Sequence, residues 1–263
     1  MFDRELKVNF KSFIIWLSIL IGIFLMVYLV YPTIINSESV SMIDEMMKMF
    51  PEEVLKAFNM DISSMESAFG WLKSEGFVFI LLGIGCYSGI LGSNILLKEE
   101  DDKTIEYLNT LPISRNKILV SKTVVGLIYI LLLIVIFGLF NYIALILSGE
   151  FNIKQYLLLS ITPVFSSVVI YFICLYLSTF FRKQKSVLGI GLGIVFVSYI
   201  LNTLSYISES VEFLKYFSVF SLCDIRNVIL DVRINPNMII ISGIISIIFF
   251  ILTIIRYDKK EFL

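Results

Sequence analysis

The chain has 263 residues, of which 58% are hydrophobic and only 16% charged, with a net charge of −1 and no histidine. A soluble domain carries roughly 25% charged residues, so this composition is that of a polytopic membrane protein. The absence of a basic arm argues against nucleic-acid binding, and the absence of histidine removes His-based general acid–base catalysis, Ser-His-Asp triads and the common histidine metal sites.

Taken in chain order, the sequence opens with "MFDRELKVNFK". Phe2, Leu6 and Phe10 recur at i, i+4, i+8, with Arg4, Lys7 and Lys11 on other faces, so the pattern predicts an interfacial amphipathic helix on the inner leaflet. Six apolar runs follow, at approximately residues 13–31, 77–97, 123–147, 156–181, 187–207 and 238–255. Each is long enough to cross a hydrocarbon core of about 30 Å. The first is too long for the apolar part of a signal peptide and no small-residue cleavage site follows, so it reads as a retained anchor.

Between the first two runs, the outer loop over residues 36–74 includes "FPEEVLKAFNMD". Ile43, Met47, Phe50, Val54 and Phe58 repeat near a period of 3.6, and Pro51 with Glu52 and Glu53 is a good helix start. One or two short amphipathic helices are expected there, packed on the bundle or lying as a lid over an exit path. After the second run comes the densest charge of the chain, "EEDDKTIEYLNTLPISRNK", residues 99–117. Ile105, Leu108 and Leu111 form an apolar stripe, Pro112 ends the helix at Leu111, and Ser114 is placed to cap the next one. Spacing alone leaves two readings open: a docking element for a cytoplasmic partner, or a solvated loop joining two spans. Residues 208–237 are too charged to span and too apolar to float free, which points to a partly embedded hairpin or an interfacial helix.

Lys and Arg set the orientation. With the N-terminus inside, the inner segments hold fourteen of them and the outer segments seven. Both termini and the 99–117 segment are therefore expected in the cytoplasm. The six cores contain essentially no Asp, Glu, Lys or Arg, and Lys122 at the inner mouth of the third span is expected to snorkel. That disfavours an ion-coupled carrier. Asn94, Asn141 and Asn202 are candidates for a translocation path or for helix–helix glue. Gly189 and Gly193 in one span, and Gly85, Gly89 and Gly92 in another, are expected to let neighbouring helices approach closely. Cys86 and Cys174 read as small packed hydrophobes, Cys223 falls in a loop, and no cysteine spacing fits a metal motif. No G-x-x-x-x-G-K-[ST] occurs, so ATP is not bound here through a P-loop.

The segment after the second run resembles that of ABC type-2 exporter permeases, E-x-x-x-G-T-x-x-x-L-L-x-x-P-x-x-R followed by a Lys. Thr104, Leu108, Pro112, Arg115 and Lys122 stand at the matching places, Glu100 lies one residue after the place of the motif's acid, and the family's usual glycine is Lys103 here. "FPEEVLKAFNMD" and "LKYFSVFSLCDI" are similar to further segments of such permeases, with Val219 where proline is frequent. The resemblance implies an all-α membrane domain of six spans over residues 1–263, with both termini inside and a cytoplasmic coupling helix within residues 98–117. It implies a second permease subunit, as homodimer or heterodimer, and two copies of a separate ATP-binding subunit that supplies ATP and Mg. On this reading the chain is not an enzyme by itself, needs no cofactor or metal, and sits in a bacterial plasma membrane. Glu99, Glu100, Thr104, Glu106, Leu108, Pro112, Arg115 and Lys122 form the expected ATPase-coupling set. The expected cargo is an amphipathic or antimicrobial compound, a peptide or a lipid. The alternative is a non-transporting membrane scaffold or sensor that docks a cytoplasmic protein through residues 99–117.

Overall fold

The computed structural model describes residues 2–34, 67–105, 114–223 and 225–260, together with positions 45, 49–50 and 55. Most of the outer loop expected to carry amphipathic helices lies outside them, as do Glu106, Leu108 and Pro112. The described residues form helices and connections, and six helical stretches are long and apolar enough to cross a membrane.

The chain runs α1 (Phe2–Ile34), α2 (Ala68–Trp71), a π-helical turn (Leu72–Gly76), α3 (Phe77–Asn94), α4 (Lys98–Asp101), α5 (Arg115–Ser148), α6 (Ile153–Ile161), α7 (Pro163–Ser178) and α8 (Gln184–Leu204). Two 3-10 segments (Glu209–Phe217 and Val219–Cys223), α9 (Ile225–Asp231) and α10 (Pro236–Asp258) complete it. The ends are set by local chemistry. Asn152 and Asn235 side chains accept from Gln155 N and Asn237 N at the starts of α6 and α10, and Pro236 occupies the first turn of α10. Ser114 stands before α5 in extended backbone, as its position predicts, but its hydroxyl makes no cap.

Pro163 interrupts the fourth span, and α6 and α7 are the two pieces. Its missing N–H leaves the Leu159 carbonyl without the usual helical donor. Thr162 Oγ1 supplies one at 2.8 Å. In a bilayer an orphan carbonyl costs several kcal/mol, so this substitution is what allows a proline at membrane depth.

Apart from this join, the first span differs most from expectation. α1 is one continuous helix of 33 residues with no break between an interfacial piece and a span. Its inward face is also not the Phe2/Leu6/Phe10 stripe. Phe2 and Phe10 are exposed, and the buried positions are Glu5, Phe13, Leu20 and Phe24.

α3 is the hub. Gly89 and Gly85 approach Gly191 and Val195 of α8, and Ser93 bonds to Val187 O, so α3 and α8 run antiparallel. Gly89 meets Ile170 and Gly92 meets Tyr171 and Leu175, so α3 and α7 run parallel. α1 and α5 are also parallel, with Phe13 on Tyr129, Phe24 on Phe137 and Tyr28 on Asn141. These directions are those of a chain that crosses back and forth in sequence. Gly85, Gly89 and Gly92 therefore serve close packing. Gly189 and Gly193 do not serve it among the described residues, where a Cβ at either would meet nothing within 4 Å. Gly191 takes the close contact instead, with Ser93 Oγ, Cys174 Sγ and Gly89 O around it. Cys223 is buried as well, its thiol donating to Ser166 Oγ and the Thr162 carbonyl.

Candidate functional site

The buried charge of the described residues gathers at the end of the bundle where α3 finishes and α5 begins. α3 closes through a turn at 95–97 into α4, and the three apolar residues of that turn are buried. This pulls Glu99 inward behind them. Lys122, two turns into α5, extends its ammonium to meet it. Lys122 Nζ donates to both carboxylate oxygens of Glu99 at 2.8 Å, to the Ile95 carbonyl at 2.8 Å and to Glu5 Oε2 at 3.2 Å. Glu5, Glu99 and Lys122 are 2%, 4% and 1% exposed. Lys122 therefore does not snorkel; two acids on α1 and α4 hold it inside.

An ammonium has three protons, and the carbonyl and two carboxylates use them all. Breaking such a buried pair by deleting one partner leaves an uncompensated charge and costs about 3–5 kcal/mol. The cluster carries two acids and one base, and Glu5 Oε1 has no hydrogen-bond partner among the described residues. Tyr129, two helical turns further into the bundle, donates from its hydroxyl to the Leu6 carbonyl and fixes the first turns of α1 against α5.

A second network lies beside the first and gathers the C-terminal end. Lys260 Nζ donates to Glu100 Oε1 at 2.6 Å and to the Phe181 carbonyl, past the end of α7, at 2.7 Å. Arg115 Nη1 donates to the carbonyls of Asp258 and Lys260 at 3.1 and 3.0 Å. Burial holds the Glu100 carboxyl above the ordinary carboxylate value, partly offset by the hydrogen bond and charge of Lys260. Burial likewise lowers Lys260, with Glu100 opposing. Desolvation outweighs the pairing for both partners.

The link between these networks and residues 106–113 is a tight C-cap. Thr104 N bonds to Glu99 O at 2.8 Å and Lys103 N to Glu100 O at 3.2 Å, the paired bonds of a Schellman motif. The motif needs a left-handed residue just past the helix, and Lys103 takes it at φ 56°. This is the position of the glycine noted above. A side chain pays about 1–2 kcal/mol for that conformation. Thr104 is exposed beyond the cap, its Oγ1 3.5 Å from Glu99 O, and Ile105 turns back into the core.

Of the expected coupling set, then, Glu99 and Lys122 face each other inside the chain, Glu100 is paired with Lys260, and Arg115 clasps the end of α10. Sequence reasoning missed Glu5 and the structural part of Lys260. Glu5 carried a signal: it shares a helical face with Phe13, Leu20 and Phe24, an acid where a membrane helix otherwise shows only apolar residues. The three asparagines do not come together. Asn94 and Asn202 lie at opposite ends of the antiparallel α3–α8 pair, each with a buried Oδ1 lacking a partner among the described residues. Asn141 lies in α5, where its Nδ2 bonds to Phe137 O and its Oδ1 accepts from Tyr28. Asn141 thus joins α5 to α1.

One family model matches nearly the whole chain, residues 2–262; its description is ABC-2 family transporter protein. No curated protein and no solved structure matches.

Proposed function

The chain belongs to the ABC-2 family of transporter proteins, and from that premise we propose that it is the permease subunit of an ATP-driven exporter in a bacterial plasma membrane. At the level of the family, it is a multi-pass membrane component of an ABC transporter that associates with an ATP-binding subunit. The finer reading pairs it with a second permease chain and two ATP-binding subunits, which bring ATP and Mg. The missing P-loop supports that division of labour. The two-to-one excess of Lys and Arg supports placing the Glu99–Lys122 end in the cytoplasm.

On this reading the coupling set divides in two. Glu106, Leu108 and Pro112 are the residues that meet the ATPase. Glu99, Glu100, Thr104, Arg115 and Lys122 stand behind them as positioning residues. Movement imposed on residues 106–113 reaches α4 through the Schellman turn, then α5 and α1 through Lys122, and α10 through Lys260. Such a chain of buried ion pairs and rigid helices transmits displacement because neither pair stretches without a large electrostatic cost. The cargo on this reading is amphipathic, since the spans offer apolar faces and few fixed charges.

The observation that carries the reading is the family match over residues 2–262. The test is a detergent pull-down of the tagged chain expressed from its native operon, with ATP hydrolysis assayed on the eluate. An ATPase that co-purifies, and whose cargo-stimulated activity is lost in Glu106→Lys, supports the reading. A solitary inactive chain overturns it in favour of a membrane scaffold.

A further inference from the structure

At the opposite end of the bundle from Lys122, a cavity of about 1150 Å³ opens between α10 and the two 3-10 segments that follow α8, with α7 as its floor. That is at or above the size of ordinary small-molecule sites, about 300–1,000 Å³. One wall is a single face of α10: Met238, Ile241, Ile245 and Phe249, at i, i+3, i+7 and i+11. This face runs about 16 Å along the helix. Val169 and Ile173 of α7 lie beneath it. No charged residue lines this deep part.

The rim is different. Glu209, Glu212 and Lys215, all on the first 3-10 segment, line it together with Tyr216. Glu212 and Lys215 are paired, and the Lys215 ammonium sits 5.4 Å from the centre of the Tyr216 ring. The rim is a fixed part of the fold. Ser218 donates to the Ser198 carbonyl and Val219 N to Ser198 Oγ, each at 2.6 Å, which ties the 3-10 segments to α8. Cys223 ties their far end to α7.

The cavity thus divides as a lipid does. A long apolar slot at membrane depth ends in a polar rim of two acids and one base. We propose that it binds one phospholipid with an amine-bearing headgroup, its two acyl chains along α10 and over α7, its phosphate at Lys215 and its ammonium between Glu209 and Glu212. Charge complementarity selects this occupant. An anionic headgroup without an amine meets two carboxylates against one ammonium, and an apolar helix of a second copy would leave Glu209 covered and unpaired. Tyr216, exposed over most of its surface, adds a ring face for the amine. The site needs no ATPase and stands whether or not the coupling reading does.

The test is native mass spectrometry of the full chain in detergent, given phosphatidylethanolamine or phosphatidylglycerol with the same acyl chains. The wild-type chain is expected to keep one phosphatidylethanolamine under activation and to prefer it at least tenfold. Ile245→Trp, which fills the slot from a lipid-accessible face, is expected to lose it without change in thermal stability. The pair Glu209→Lys and Glu212→Lys is expected to move the preference to phosphatidylglycerol. Equal retention of both lipids, by the wild type and by Ile245→Trp alike, means surrounding lipid only and overturns the proposal, as does retention of neither. High-yield disulfide crosslinking of Ile241→Cys between copies in native membranes also overturns it, because the α10 face is then a subunit contact.

Discussion

Lys122 on α5 and Glu99 on α4 form a buried pair, nitrogen to oxygen 2.8 Å, at the point where the polar segment over residues 99–117 joins the membrane bundle. A pair this deep is poor at adding stability and effective at fixing a position, since neither charge has water to fall back on. Removing the lysine alone is therefore expected to be severe. Lys122→Met leaves Glu5 and Glu99 buried without a counter-charge and is expected to cost about 3–5 kcal/mol, read as a large fall in the unfolding temperature in detergent. Adding Glu5→Gln and Glu99→Gln to it is expected to recover most of the loss. If the triple variant is as unstable as the single one, packing around Lys122 rather than charge is what matters.

Lys103 offers the opposite case. Its left-handed backbone at φ 56° is strained for a lysine and free for glycine. Lys103→Gly is expected to raise stability by about 1 kcal/mol or less, because the glycine also gives the unfolded chain more freedom. The predicted gain is a small upward shift in the unfolding temperature, and a loss would mean that the lysine side chain makes a compensating contact.

The Glu100–Lys260 pair sets a pH dependence. Burial raises the folded pKa of Glu100 above its unfolded value. Between those two values the folded chain binds more protons than the unfolded one. Stability therefore rises as pH falls through that window, and is lost again as pH climbs above the folded pKa. Acidification from neutral towards the ordinary carboxylate range is expected to raise the unfolding temperature of the wild type relative to Glu100→Gln. A wild-type curve parallel to that of the variant across the range would show no such linkage.

The glycines give a graded pair of tests. A Cβ on Gly92 would lie 2.5 Å from the backbone oxygen of Tyr171, so α3 and α7 must part. Gly92→Ala is expected to destabilise by about 1–3 kcal/mol. Gly189→Ala and Gly193→Ala meet nothing among the described residues and are expected not to destabilise the isolated subunit. A fall in stability that appears only when the subunits associate would locate these two glycines at a contact between chains.

The number of spans was legible from the sequence because a run of about 20 apolar residues has few other uses. What lipid hides is direction. Phe10 and Phe13 are equally apolar, yet Phe10 faces out and Phe13 is buried, since lipid and core solvate a phenyl ring alike. The polar residues were the better guide to the inside of α1, and Glu5 was read past because its neighbours Arg4 and Lys7 are exposed. Lys122 was misread for a related reason: its partners come from α1 and α4, 117 and 23 residues away, and no local spacing announces them. Ser114 was legible as the residue before α5, because a helix start is set within one turn of chain, although its hydroxyl makes no cap.

The length of α1 carries a mechanical consequence. Its 33 residues measure about 50 Å against a hydrocarbon thickness of about 30 Å. The surplus must lean or project, and the thinner the bilayer, the more it leans. Glu5 sits in the first turn and is pinned to Lys122, while the opposite end of the helix has no comparable ionic anchor among the described residues. Since α1 also lies along α5 through Phe24 on Phe137 and Tyr28 on Asn141, a change of bilayer thickness would tilt the two together and load the joint where α1, α4 and α5 meet.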